Sequence, residues 1–201
     1  SYGPSEEITA DGIHVLPMDE EMMKQTAKAF ADTARRAYEA GFEMFILHGG
    51  HGWMINQFLS PAVNKRTDQY GGSTENRCRF PIMIIQEIRK ALPKGTPIDF
   101  RMSGAELYEG GYDIEEGCRI AEILQDYVDM IHVSAGNHEV LEHIGRTHPL
   151  SFLPHGVNVY LAAEIKKHVT KVPVATVGGI NDPAMAEEII ASGKADVVCV
   201  G

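Results

Sequence analysis

Cysteine is scarce in this 201-residue chain: Cys78, Cys118 and Cys199 stand far apart, with no CxxC pair. That excludes a disulfide framework and a cysteine-ligated zinc or iron–sulfur site within these residues. Cys118 falls in a helical pattern and Cys199 in a strand pattern, so both are expected as buried, reduced thiols. A reducing, cytoplasmic compartment is the expectation that follows. Positive charge is also short: 18 Lys and Arg against 28 Asp and Glu leave a formal net charge of −10. With no basic stripe, neither nucleic acid nor an anionic membrane is an expected partner. No apolar run approaches the ~20 residues of a membrane helix, and the opening residues lack a signal-peptide pattern. Disorder is a poor reading too, since 44% of residues are apolar and 23% charged, the ordinary balance of a globular domain.

What is present is an alternation of helices and apolar strands. Met22, Met23, Ala27, Phe30, Ala31, Ala34 and Tyr38 recur at helical spacing between Asp19 and Ala40, and Gly41 ends the helix. Glu43 to His48 is a short apolar strand. A Gly-rich, polar loop runs from Gly49 to about Gly72, and a helix from about Ser73 to Leu92 ends before Pro93 and Gly95. The alternation continues with strands at Pro97–Met102, Val128–Ser134, Val172–Val177 and Asp196–Val200. Helices are expected at Asp113–Asp126, Val157–Val169 and, capped by Asp182-Pro183, up to Ala191. A long loop from Ala135 to about Gly156 carries His138, His143, His148 and His155, of which the last three read as solvated loop residues. Ser1 to Ser5 read as loop. Five near-continuous apolar strands separated by helices imply a parallel α/β sheet, buried on both faces, either doubly wound or part of a barrel.

The unusual residues gather at the C-terminal ends of these strands, the edge where parallel α/β folds bind ligands. The strand ends read His48-Gly-Gly-His51-Gly-Trp53, Arg101-Met-Ser103, Ser134-Ala-Gly136-Asn137-His138, Gly178-Gly179 and Gly201. Gly178-Gly179, between a strand and a helix N-terminus, suits a phosphate, as well as a simple tight turn. His48 and His51 suit three roles: donors to a substrate carbonyl oxygen on which negative charge develops, metal ligands, or structural histidines. Arg101, in a strand that should be buried, calls for an anionic or strongly polar partner. His138, an imidazole in a loop, suits a proton donor or a plain loop residue. Arg66, Asp68, Glu75 and Arg77 read as charges that pin the long loop.

The stretch from His48 to Trp53, then QFLSP and NKRTDQYGGSTENRCRF, closely resembles the Old Yellow Enzyme family of NADH:flavin oxidoreductases. RMSGAELYEGGYDIEEG, DMIHVSAG, VATVGGIND and ADVVCVG match later family segments in order, so the resemblance covers nearly all the chain beyond Leu16. It is nearest to the bacterial branch of 2,4-dienoyl-CoA reductases, 2-enoate reductases and bile-acid-modifying reductases. The resemblance implies an FMN-containing TIM (β/α)8 barrel that uses NAD(P)H to reduce the C=C bond of an α,β-unsaturated carbonyl substrate. It places His48 and His51 on the carbonyl and Arg101 on the flavin, with Ser134 and Gly136 beside it. Gly178, Gly179 and Gly201 fall on the FMN phosphate, and His138 assists protonation. Trp53 stands where the family usually has a tyrosine proton donor, and indole N–H is no useful acid.

The matched segments correspond to about the fourth to eighth barrel units, so the N-terminal barrel strands are expected to lie outside residues 1–201. Likewise, the arginine that usually follows the residue matching Gly201, and any 4Fe-4S or FAD region, are expected only in a longer parent protein. A barrel takes about 250 residues, and five strands cannot close one of eight. A partial copy of a larger flavoprotein, or a chain that forms a homo-oligomer to cover its edges, is therefore expected. Two other readings remain: a non-catalytic barrel fragment, and a flavin-free phosphate-binding lyase or isomerase built on His48 and His51.

Overall fold

The computed structural model describes residues 1–9, 12–138, 141 and 144–200. Gly201 and His143, which the sequence singles out, lie outside the described residues. The chain opens with three short strands, β1 (Tyr2–Gly3), β2 (Glu7–Ile8) and β3 (His14–Pro17). β3 lies in the middle, parallel to β1 and antiparallel to β2. This corrects the loop expected over Ser1 to Ser5; strands of two residues are too short to show an alternating pattern.

The rest is the expected alternation. Helix α1 (Glu20–Glu39) leads to β4 (Phe45–Gly49), α2 (Met54–Leu59) and α3 (Thr74–Ala91). Then come β5 (Ile98–Ser103), α4 (Ile114–Leu124), β6 (Met130–Ser134) and α5 (Ile144–Thr147). α6 (Val159–His168), β7 (Val174–Val177), α7 (Pro183–Ala191) and β8 (Val197–Cys199) complete the order. Side-chain N-caps start four of the helices: Asp19 on α1, Ser73 on α3, Asp113 on α4 and Asp182 on α7, each contributing on the order of 1 kcal/mol. The short helices α2 and α5 fall inside stretches expected to be loop, too brief for a helical period to show.

Strands β4 to β8 form one parallel sheet in sequential order, β4-β5-β6-β7-β8. Side chains alternate across a strand, so each strand has two faces. Leu47, Phe100, Met102, Ile131, Val133 and Val174 point to one face and are buried, forming the core with the helices. The opposite face carries Ile46, His48, Asp99, Arg101, His132 and Cys199. The expectation of strands buried on both faces holds for β5 and β6 but not at the sheet's margins, where Ile46 is 60% exposed. No helix among the described residues is long and apolar enough to cross a membrane. Burial pushes the Cys78 thiol up to about 12 and that of Cys118 to about 11, so neither is a nucleophile at neutral pH.

Candidate active site

The site grows from the loop after β4. His51 sits at a left-handed φ of 62° and Gly52 follows at 85°. A Cβ on Gly52 would stand 2.2 Å from Asn137 Oδ1, so glycine is required both by the backbone and by the close approach of the next loop. The loop is tied from several sides. The His51 N–H donates to Ser103 Oγ (3.1 Å), and Gly52 N–H to Asn56 Oδ1 (2.6 Å). His51 also bridges to Asn137, and its carbonyl accepts from the His138 N–H at 3.1 Å.

Two of the expected residues meet here. The His48 and His51 rings lie edge to face with centroids 4.9 Å apart. His51 is buried, and its Nε2 is 2.7 Å from Ser134 Oγ. Burial, then the Arg101 charge, lowers the His48 pKa to about 4; burial, then His48, lowers that of His51 to about 3. Both rings are therefore neutral across the physiological range. His48 Nδ1 and Arg101 Nε are buried without a hydrogen-bond partner, and Arg101 lies directly across the ladder from His48.

His138 stacks its ring on Trp53, centroids 4.4 Å apart and planes 23° from parallel, and its Nδ1 faces the His51 carbonyl. Trp53 itself is 54% exposed. Ser134 spends its hydroxyl on His51, and the Gly136 carbonyl accepts from Ser103 Oγ at 2.8 Å, so both brace the site's loops. Gly178 and Gly179, at the end of β7, have φ of 130° and 64°, and a Cβ on Gly178 would come within 2.8 Å of Asn158 Nδ2. The helix that follows is capped by Asp182, whose carboxylate accepts from Ala184 N–H at 3.0 Å. A phosphate there would meet the loop rather than an open helix end.

Three groups were not legible in the sequence. His148 is solvent-exposed as expected, yet the loop after β6 also brings its ring to 5.8 Å from His51. Glu106 is completely buried and accepts from Ser60 Oγ (2.6 Å), Tyr112 N–H (3.1 Å) and Asn137 Nδ2 (3.4 Å); burial raises its pKa. It ties the loops after β5 and β6 to the end of α2. Its only signal in the sequence is its place in the RMSGAELYEGG segment. The third group is an ion pair between Asp99 and His132, 3.0 Å apart beneath Arg101. The charged loop behaves as expected: Arg66 donates to the carbonyls of Pro4 (3.0 Å) and Met18 (2.8 Å), and Arg77 to that of Leu59 (2.7 Å). No three His, Cys, Asp or Glu side chains among the described residues converge as a metal site.

Residues 3–201 match the sequence profile of the NADH:flavin oxidoreductase / NADH oxidase family. The chain belongs to this family. It is 47% identical over 180 residues to an NADH oxidase of Thermoanaerobacter brockii, covering 89% of this chain and 27% of that protein. A 2-naphthoyl-CoA reductase structure superposes with a TM-score of 0.87 at 30% identity, over 98% of this chain and 30% of the other. An Old Yellow Enzyme homologue from Zymomonas mobilis superposes with a TM-score of 0.77 at 24% identity, over 100% of this chain and 56% of the other, and shows the shared fold. The chain thus spans between about a quarter and somewhat over half of these relatives. The family makes FMN the cofactor to test against the site, and the residues fit it. Arg101 Nε is a buried donor with nothing to bond, at the C-terminal end of the sheet that also carries the positive-φ glycines Gly178 and Gly179.

The histidines give a pH signature. His48 and His51 take up protons more readily when unfolded (usual value near 6.5) than when folded, so stability falls as the pH drops below 6.5. For His132 burial works downward, but the hydrogen bonds and charges of Asp99 and Cys199 prevail, raising its pKa to about 9. Its contribution is complete below 6.5 and lost as the pH rises through 9. Urea midpoints should therefore peak near pH 6.5 and decline toward both pH 4 and pH 10; a midpoint that climbs steadily across this range contradicts the assignment.

Proposed function

We propose that this chain is the part of a flavin-dependent (β/α)8 barrel running from about its fourth to its eighth unit. The parent enzyme reduces the C=C bond of an α,β-unsaturated carbonyl compound at the expense of NAD(P)H. The observation that carries the reading is the neutral His48–His51 pair beside the unpartnered Arg101 at the sheet's C-terminal edge. When bound, FMN supplies the hydride exchange between nicotinamide and substrate; the protein positions and polarises. In this reading Arg101 holds the flavin ring, with Ser134 and Gly136 shaping the floor, and Gly178, Gly179 and Gly201 cradle the phosphate.

His48 and His51 hold the substrate carbonyl oxygen. As neutral rings they donate N–H without a charge that water would have to solvate, and a fixed donor favours the oxygen as it gains negative charge. His51 Nε2 and Ser134 Oγ are 2.7 Å apart; in the tautomer where the hydroxyl donates, the neutral ring's proton sits on Nδ1, the nitrogen left for substrate. His138, stacked on Trp53, holds the proton destined for the carbon next to the carbonyl, in place of the family's usual tyrosine. The CoA thioester named for the 2-naphthoyl-CoA reductase favours conjugated acyl thioesters beside enones and enoates as substrates. The exposed margins of the sheet favour association, with itself or with the remaining barrel units, in a cytoplasmic setting.

The test is anaerobic rapid mixing of the intact, flavin-loaded protein. It should be yellow, be bleached by NADH or NADPH, and regain colour with an enone or enoyl-CoA ester. His138→Ala should slow recolouring and spare bleaching. A colourless protein, or one that retains metal and no flavin, overturns the reading in favour of a non-catalytic or flavin-free barrel. An unchanged recolouring rate removes His138 from its role.

A further inference from the structure

We propose that Asp99 and His132 form a charged dyad that sets the flavin's redox poise, with the imidazolium end lying beside Arg101 and the carboxylate end one layer deeper. The inference rests on the flavin reading above. Its geometry comes from the register of two central strands. His132 on β6 lies directly across the ladder from Arg101 on β5, while Asp99 sits two residues before Arg101 and pairs with Met130. All three side chains therefore share the sheet face that carries His48. Asp99 Oδ2 is 3.0 Å from His132 Nδ1, and the two residues are 1% and 4% exposed.

Carbonyl binding and protonation make no use of this pair. Two charges buried this deeply cost several kcal/mol in desolvation, so a structural role alone is a poor reason for them. Asp99 Oδ1 and Arg101 Nε are buried without partners, and the His132 ring has Cys199 as its second side-chain neighbour. The pair is therefore polarised along the strand direction, with its positive end toward the edge where the cofactor would sit. The groups facing His132 are Asp99 and Arg101 from β5, His48 from β4 and Cys199 from β8; on this face β7 offers only Ala175 and Val177. Asp99, together with Cys199, keeps the ring protonated, its pKa raised to about 9 against the pull of burial. Reduced flavin carries negative charge at neutral pH and oxidised flavin does not, so a fixed positive end favours the reduced form.

The test uses the intact flavin-loaded protein and reads the midpoint potential. His132→Gln should weaken reduced flavin relative to oxidised by about tenfold at pH 7, a fall of about 30 mV for a two-electron couple. The gap should close by pH 10, where His132 of the wild type is neutral too. A merely structural role would leave a gap independent of pH, and that result, like no gap at all, overturns the inference. Should the variant fail to fold, nitrogen NMR of the wild type decides. An imidazolium at pH 7 that titrates near 9 supports the dyad, and a neutral His132 at pH 7 overturns it. A yellow protein that fails these tests loses the dyad alone; a colourless one loses the flavin reading as well.

Discussion

Replacing His48 with alanine is expected to slow reoxidation of the reduced, flavin-loaded protein by an unsaturated carbonyl compound by roughly 10²–10³-fold, the usual effect of removing one preorganised donor from a developing oxyanion. Reduction by NAD(P)H, which does not involve that oxygen, should proceed at its original rate. His48 is a cleaner probe than His51. It lies within β4, and its Nδ1 makes no hydrogen bond. His51 sits at positive φ and is tied to Ser103, Ser134, Asn137 and His138, so its replacement would also loosen the loop. Rapid-mixing rates for the two half-reactions decide: equal slowing of both, or of neither, would remove His48 from the carbonyl-binding role. Because the ring is neutral well above its pKa of about 4, the effect should be constant from pH 6 to pH 9.

A second large effect is expected in the core. Phe100 is fully buried on the helix-facing side of β5, and Phe100→Ala should cost about 3–5 kcal/mol through lost burial and the cavity left behind. A domain of this size has only about 5–15 kcal/mol to lose. The cost should reach the site, because a Cβ on Gly49 would stand 2.2 Å from Phe100 Cζ: the ring is the floor on which the loop after β4 rests. Urea denaturation should show the lower midpoint, and the flavin-loaded variant should release its cofactor at lower urea than the wild type. A loss below about 1 kcal/mol would show that the neighbouring side chains collapse into the gap.

The alternation of the longer helices with β4 to β8, the Asp182 cap and the strand ends that carry chemistry could be read from the chain, because each rests on local signals: apolar runs of five or six residues, Asp before Pro at a helix start, Gly after a strand. His48, His51 and Arg101 stood out because polar side chains at strand ends are conspicuous beside apolar strands. Glu106 was not conspicuous. It lies in a polar loop, and only folding removes it from water and surrounds it with Ser60, Tyr112 and Asn137. His148 is solvated as its loop suggests, but nothing local says that this loop returns to His51.

A parallel α/β architecture, the family through its long loop motif, and the edge of the sheet at which chemistry gathers are written in local stretches of the chain. Spacing along one chain encodes such features, since periodicity and capping act over a few residues. Tertiary structure alone decided that His48 and His51 are neutral, that Trp53 carries His138 on its face, and that Asp99 meets His132 behind Arg101. Those outcomes depend on burial and on contacts between residues tens of positions apart. A side chain's charge and partners follow from what the fold removes from water around it, which no local pattern records.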